Sequence, residues 1–338
     1  MSVLVKELAS LNAPSAFEDA VRDFIKKHAI CDEIYTDTMG NLICHKKGNG
    51  KKVMVAAHMD EVGLIIKEIT DKGFLKFATL GGIETAVLVS KKVLIGNDRL
   101  CGIIGTKAVH LQTQEELESP TKIKDLYIDI GAKDKESAEK LVSLGDFAVF
   151  DGEYTPFGDN LIKSKALDDR VGCAILLELM KENYDSDIYF TFTVQEEIGC
   201  RGAQVAAYNI KPDIALVIEG TTCSDVYGSE PHTHVTTLGK GAVMTAVDGA
   251  AISDKGYYDF IMKTAKEEGI KLQIKKTTMG GTDAGVIQRS GYGVKTAVLA
   301  VPCRYIHSPV SVMHKEDAES VYLLSKAVLK NIERSALI

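Results

Sequence analysis

Residues 166–219 read ALDDRVGCAILLELMKENYDSDIYFTFTVQEEIGCRGAQVAAYNIKPDIALVIE. Between Asp169 and Lys181 the apolar residues recur at helical spacing, and residues 188–194 (IYFTFTV) form a run of β-branched and aromatic side chains. Residues 202–208 return to helical spacing, and residues 213–218 (DIALVI) make a second strand. Such alternation predicts a largely parallel sheet covered by helices on both faces. Toward the C-terminus the pattern continues with a helix over 257–268, a strand over 294–301 (VKTAVLAV) and a last helix over 315–334. Toward the N-terminus, KKVMVAAHMDEVG (51–63) is an apolar strand ending in His58 and Asp60, and 34–44 is a β pattern interrupted by Met39-Gly40-Asn41. The first thirty residues are predicted helical, with Ser15 and Glu18 spaced as an S-x-x-E capping box ahead of Val21, Phe24 and Ile25.

Between residues 64 and 163 the texture changes to short β-like runs punctuated by glycine, such as GFLKFATLGGIE and KKVLIGNDRLCGIIGTKAVHL. The predicted architecture is therefore α/β, with a mostly parallel sheet flanked by helices built from residues 1–63 plus 165–338, interrupted by a β-rich insertion over 64–164. An insertion of that length lies within the usual domain range.

The composition fits a folded chain of 338 residues, 45% hydrophobic and 26% charged. Forty Lys+Arg against 47 Asp+Glu leave a net charge of −7, which argues against a general nucleic-acid binder, since that affinity rests on Lys and Arg. Apolar stretches such as 296–303 fall well short of the ~18 residues a membrane span needs. Lys6 and Glu7 sit where a signal peptide would carry its apolar segment, so the expected location is the cytoplasm. The seven cysteines are widely spaced with no CxxC pair, and read as reduced, mostly buried small hydrophobes.

Four polar clusters follow predicted strands: His58 and Asp60, Glu196 and Glu197, Glu219, and His307. Ligands of open α/β sheets bind outside those strand ends. A fifth cluster, Asp168 and Asp169, opens a helix, where carboxylates are also favoured by the helix dipole. Two histidines and several carboxylates without thiolates suit Zn²⁺, Co²⁺ or Mn²⁺, and there are enough of them for two ions. Two metals about 3.5–4 Å apart need a bridging carboxylate and suit amide or ester hydrolysis. Adjacent Glu196 and Glu197 project to different sides, so one can ligate while the other addresses the attacking water. Asp60 lies on the same side as His58 and is expected to accept the second N–H of its imidazole.

The motifs AAHMDEVG, KALDDRVG, QEEIGCRGA, IEGTT, GGTDAG and RYIHSP, in this order and at these separations, resemble the M42 family of metalloaminopeptidases. The resemblance implies an α/β catalytic domain with an inserted barrel-like dimerisation domain, commonly assembled from dimers into dodecamers. It implies that His58, Asp168 and Glu219 hold one divalent metal and Asp168, Glu197 and His307 a second, with Asp168 bridging. It also implies Glu196 as general base for attack of a metal-activated water on the first peptide bond of a substrate with a free N-terminus. Asp169 and Arg170 match the motif without a ligand role. Glu219 stands where many relatives have Asp, and Pro14-Ser15-Ala16 where many have P-S-G, a difference expected to touch a helix start rather than the site.

Two other hydrolase readings use the same residues. A deacylase removing N-terminal blocking groups would use the same two-metal centre. A glycoside hydrolase, an endoglucanase label some members of the family have carried, would use the paired carboxylates but leave the histidines without a role, and the chain has no tryptophan for sugar stacking. His28, His45, His110 and His314 read as structural, and His232-x-His234 as loop structure within reach of a substrate pocket. Residues 280–285 (GGTDAG) lack the lysine of a phosphate loop and read as a substrate-side loop, the plainer alternative being that Asp283 caps the next helix.

Overall fold

The computed structural model describes residues 1–335. The decisive run folds as helix Leu167–Leu179, strand Asp187–Thr193, helix Arg201–Ile210 and strand Ile214–Cys223. Four strands form the parallel centre of an eleven-stranded sheet, in the order Asp187–Thr193, Lys52–His58, Ile214–Cys223, Lys295–Arg304. The flanks are antiparallel: Leu42–Lys46 pairs with Asp187–Thr193 on one side, and Ala242–Thr245 and Ser311–His314 with Lys295–Arg304 on the other.

The residues of Val53–Ala57 are all buried, and alternation divides them between two apolar layers. Val53, Val55 and Ala57 pack into a cluster with Val171, Leu176 and Leu324, from Leu167–Leu179 and the last helix, Lys315–Asn331. Met54 and Ala56 face a second cluster with Ala203, Ala207 and Ile287. Burial on both faces explains why these strands are apolar runs rather than alternating ones. Registration does the rest for the site: Thr193 pairs with His58, and Glu219 lies two residues beyond the Val217–Ala56 pair, level with His58.

The β-rich insertion forms a closed barrel of six strands, Gly63–Ile69, Leu75–Leu80, Lys92–Ile95, Leu100–Gly105, Tyr127–Asp129 and Phe147–Phe150. Its interior is a separate apolar cluster that includes Leu64, Ile66, Phe77, Val93, Ile104 and Ile128. The hairpin Thr155–Phe157/Leu161–Ser164 pairs with Ser311–His314 and so belongs to the large sheet, although it precedes the boundary drawn at residue 164 from texture. Backbone pairing decides this, and the side chains of a short hairpin do not reveal which sheet it joins.

At the N-terminus the structure differs from expectation. Two helices form, Ser2–Ser10 and Asp19–His28, and the second has no side-chain cap. Ser15 and Glu18 turn inward instead. Nearby, Glu61 is clamped between two buried cations: Lys165 Nζ lies 2.7 Å and Arg170 Nη2 3.2 Å from Glu61 Oε1. Arg170 also donates to the Leu8 carbonyl at 2.8 Å, tying the first helix to the helix start at Leu167. Burial pushes the Lys165 ammonium down to about 8 although Glu61 pulls it upward. Glu61→Gln leaves two buried cations without a counter-charge and is expected to cost about 3–5 kcal/mol, read as a lower urea midpoint at unchanged m.

Candidate metal centre

The predicted site residues converge at the carboxyl ends of the parallel strands. His58 ends its strand, Glu196 and Glu197 occupy the turn after Thr193, His307 follows Arg304, and Asp168 stands in extended backbone, at φ −82° and ψ 113°, where the chain enters its helix. Glu219 lies inside a strand that runs on to Cys223 and is paired there with Ala300, which fixes the backbone that carries it.

Two sets of donor atoms result, His58/Asp168/Glu219 and Asp168/Glu197/His307, with the atoms of each within 4.8 Å of one another. Asp168 Oδ1 faces His58 Nε2 at 3.4 Å, and Asp168 Oδ2 faces His307 Nε2 at 3.6 Å. His58 Nε2 lies 3.4 Å from Glu219 Oε2, and His307 Nε2 lies 3.3 Å from Glu197 Oε2. These separations are long for hydrogen bonds. They match the edge of a tetrahedron of ligands at about 2.0–2.1 Å from a zinc-like ion, which is about 3.3–3.4 Å.

Both imidazoles are held with Nε2 toward the carboxylates. His58 Nδ1 donates to the Asp60 carbonyl at 3.2 Å and lies 3.4 Å from Asp60 Oδ1, and His307 Nδ1 donates to the Gly82 carbonyl at 2.8 Å. With Nδ1 donating to a carbonyl, Nε2 can face carboxylate oxygen only if it carries a proton of its own or shares a bound cation with that oxygen. Glu219 Oε1 is buried with no hydrogen-bond partner, a costly state for a carboxylate oxygen unless it is a ligand. The donor set and this orphaned oxygen fit divalent metal.

The electrostatics point the same way. Among the described residues, the ion pairs of this cluster involve the two histidines and no Lys or Arg. Burial raises Glu197 to about 7 and Glu219 to about 8, against the pull of His307 and His58 respectively. Burial likewise raises Glu196 well above its ordinary value. For the histidines burial works downward, but carboxylates outweigh it: Asp168, Asp60 and Glu219 raise His58, and Asp168 and Glu197 raise His307 to about 9. Burial would raise Asp168 too, yet His307 and His58 hold it below the usual carboxylate range. All of these shifts except that of Asp168 favour protonation, driven by burial for the glutamates and by the facing carboxylates for the histidines.

Several contributors were not legible in the sequence. The Asp60 carboxylate accepts the backbone N–H groups of Glu196 at 3.0 Å and Glu197 at 3.2 Å, so it sets the turn that presents both glutamates. Ser15 donates to Asp60 Oδ2 at 2.6 Å, and Glu18 Oε1 accepts the N–H of Gln195 at 3.0 Å. The Pro14-Ser15-Ala16 segment, expected at a helix start away from the site, therefore supports the site directly. Asp169 accepts the His58 N–H at 3.3 Å and that of Gly172 at 3.0 Å. Gly81 and Gly82 come from the insertion: a Cβ on Gly81 would sit 3.2 Å from Glu197 Cβ and 2.9 Å from Val62, at φ +88°. Asp283 does not cap its helix through its side chain, and its buried Oδ2 accepts the Thr193 hydroxyl at 2.6 Å. Asp60, Asp169, Ser15, Glu18 and Asp283 all lie in motifs of the sequence, but most of their partners here are distant along the chain, as Thr193 is from Asp283.

A cavity of about 570 Å³ opens onto the cluster, lined among others by Glu196, Thr222, Lys275, Met279 and Thr282. Neither His232 nor His234 lines it: His232 sits in the 3₁₀ turn Pro231–Thr233, and His234, just after that turn, meets Ser229 Oγ through Nε2 at 3.1 Å. Among the described residues no helix is long and apolar enough to cross a membrane.

The profile described as M42 glutamyl aminopeptidase matches residues 40–324. The lysyl aminopeptidase of Pyrococcus furiosus is 33% identical over 98% of this chain and 97% of its own length. Aminopeptidase APDkam598 of Desulfurococcus kamchatkensis superposes with a TM-score of 0.92 at 38% identity, covering 97% of this chain and 94% of that one. The TET1 peptidase of Pyrococcus horikoshii, which can assemble into a tetrahedron or a large octahedral shell, gives 0.86 at 35% identity, covering 97% and 98%. These matches span nearly the whole length on both sides, and the chain belongs to the M42 peptidase family of aminopeptidases, hydrolases of peptide bonds.

Proposed function

We propose that this protein is a dinuclear metal-dependent aminopeptidase that removes the N-terminal residue of short peptides, with Glu196 as general base. The observation that carries the reading is Asp168, whose two oxygens face two separate sets of nitrogen and oxygen donors. His58, Asp168 and Glu219 would hold one divalent cation, and Asp168, Glu197 and His307 the other, Zn²⁺, Co²⁺ and Mn²⁺ being suited to these donors. Bound cations would supply Lewis acidity, polarising the scissile carbonyl and making a water acidic near neutral pH. Glu219 reaches its position with one methylene more than aspartate, and its strand pairing fixes the backbone that carries the longer side chain.

The chain's own groups do the proton work. Glu196 is held by Asp60 through its backbone and touched at Oε1 by the Cys200 thiol at 3.4 Å, and its carboxylate would accept the proton of the attacking water and return it to the leaving amine. Asp60 positions three residues at once, Glu196 and Glu197 through their backbone N–H groups and His58 through its ring, and acts through them. The surplus carboxylates favour a substrate ammonium close to the scissile bond, which selects free N-termini and disfavours N-acylated ones. Lys275 is the cavity's lysine, and its ammonium has no carboxylate partner among the described residues. It favours an acidic first residue, so Lys275→Ala is expected to lower kcat/KM for glutamyl substrates about tenfold relative to leucyl ones, the worth of one partly desolvated charge pair.

By its likeness to the TET1 peptidase, seen as a dodecamer and able to form a tetrahedron or a large octahedral shell, the protein is read as a large homo-oligomer; the family resemblance adds dimers joined through the barrel, and the acidic charge balance and the N-terminal sequence add a cytoplasmic peptide substrate rather than nucleic acid or membrane. Mass spectrometry of peptides incubated with cobalt-loaded protein, free and N-acetylated, with and without chelator, tests the function. Stepwise loss of N-terminal residues from free peptides alone, abolished by chelator, is the expected result. Release of acetyl groups would instead establish the deacylase, and cleavage of glucan without peptide turnover would establish the glycosidase.

A further inference from the structure

Beside the two donor sets lies a third, which shares Glu196 with the reaction and adds two residues, Cys200 and Asp283, that the reaction does not use. Glu196, Cys200 and Asp283 each place one donor atom within 4.8 Å of the others, and Cys200 Sγ lies 3.4 Å from Glu196 Oε1. Asp283 is fully buried, and while its Oδ2 is satisfied by Thr193, its Oδ1 has no hydrogen-bond partner. A bare carboxylate oxygen in the interior is costly until a donor or a cation reaches it. Cys200 and Glu196 line the substrate cavity, so a small solute has access to the group. Gly199 beside them has nothing within 4 Å of where a Cβ would stand.

The chemistry of this third set differs from that of the other two. One sulfur with two carboxylates is softer than imidazole with carboxylates, and it selects thiophilic divalent ions over Mg²⁺ or Mn²⁺. We propose that Glu196, Cys200 and Asp283 form a third, inhibitory site for a thiophilic divalent cation, Zn²⁺ in excess or Cd²⁺, whose binding takes the Glu196 carboxylate out of proton transfer. Binding forms one metal–sulfur and two metal–oxygen bonds, the thiol proton leaves to solvent, and no electron is transferred. The inhibitory consequence rests on Glu196 being the general base, whereas the binding does not.

The test is a Cd²⁺ titration of protein already loaded with two equivalents of Co²⁺, following the ultraviolet thiolate-to-cadmium absorption and peptide hydrolysis together. One further equivalent is expected to bring up the band while turnover falls roughly 10²-fold, the lower end of what a general base supplies. Cys200→Ser should show neither the band nor the cadmium sensitivity. Removing the exposed Cys101 should change neither. A missing band in the wild type, a band that survives in folded Cys200→Ser, or a band without loss of turnover each overturns the proposal. Two-cobalt protein that hydrolyses no peptide before cadmium is added refutes the aminopeptidase reading instead, and the band still decides the site.

Discussion

Glu196→Gln is expected to keep both divalent cations and to lose about 10²–10⁴-fold in kcat, the range a positioned general base supplies. The substitution preserves size and backbone contacts, so the N–H still reaches Asp60 and the turn still presents Glu197. What disappears is a carboxylate able to take a proton and give it back. Metal content by atomic spectroscopy should match the wild type, and KM should change little, because Glu196 is in neither of the two donor sets centred on Asp168. Near-normal turnover in a metal-replete variant would sink the assignment, and loss of metal would recast Glu196 as a ligand.

Asp168→Ala should have the largest effect on the metals themselves. Because each carboxylate oxygen serves a different donor set, one deletion weakens both. Bound metal is expected to fall from two ions per chain to none at concentrations that saturate the wild type, with turnover at background. His58→Ala and His307→Ala should each chiefly empty one set. If Asp168→Ala retained two ions, the bridging role would be refuted.

Stability should follow the metal. Cations that bind only the folded chain stabilise it by about 2.7 kcal/mol at a hundredfold excess over Kd, so chelation lowers Tm. The sign of the pH dependence follows from the metal-free site. Glu197 and Glu219 are raised from 4.5 to about 7 and about 8, and His307 from 6.5 to about 9. Groups whose pKa is raised on folding contribute stability present below their unfolded values and lost as pH rises through the folded ones. Chelated protein is therefore expected to lose stability from about pH 5 to about pH 9, measured by urea midpoints. Metal-loaded protein should gain over the lower part of that range, where protons compete with cations for the ligands.

Much of this was legible in the order of residues. The apolar runs at 53–57, 188–194 and 214–218 must be buried on both faces, which dictates a parallel sheet under helices, and side chains just past such strands share one edge. His58, Glu196, Glu197, Glu219 and His307 could be gathered on that ground, and the glycine-punctuated stretch set the barrel apart. What stayed hidden has one physical cause: it depends on contacts between segments far apart in the chain. Periodicity reports which face of an element is apolar, but not which distant carbonyl takes a ring N–H. Only tertiary packing decided that Gly82, from the barrel, holds His307, and that Ser15 and Glu18 leave their helix uncapped to support Asp60 and Gln195. It also decided that the hairpin at 155–164 joins the large sheet, and that Cys200 and Asp283 come within reach of Glu196. Sequence alone determined which residues could do chemistry, through local pattern and donor type. The fold decided which of them touch, because side-chain geometry across sequence separations of 45 to 225 residues is set by packing and not by spacing.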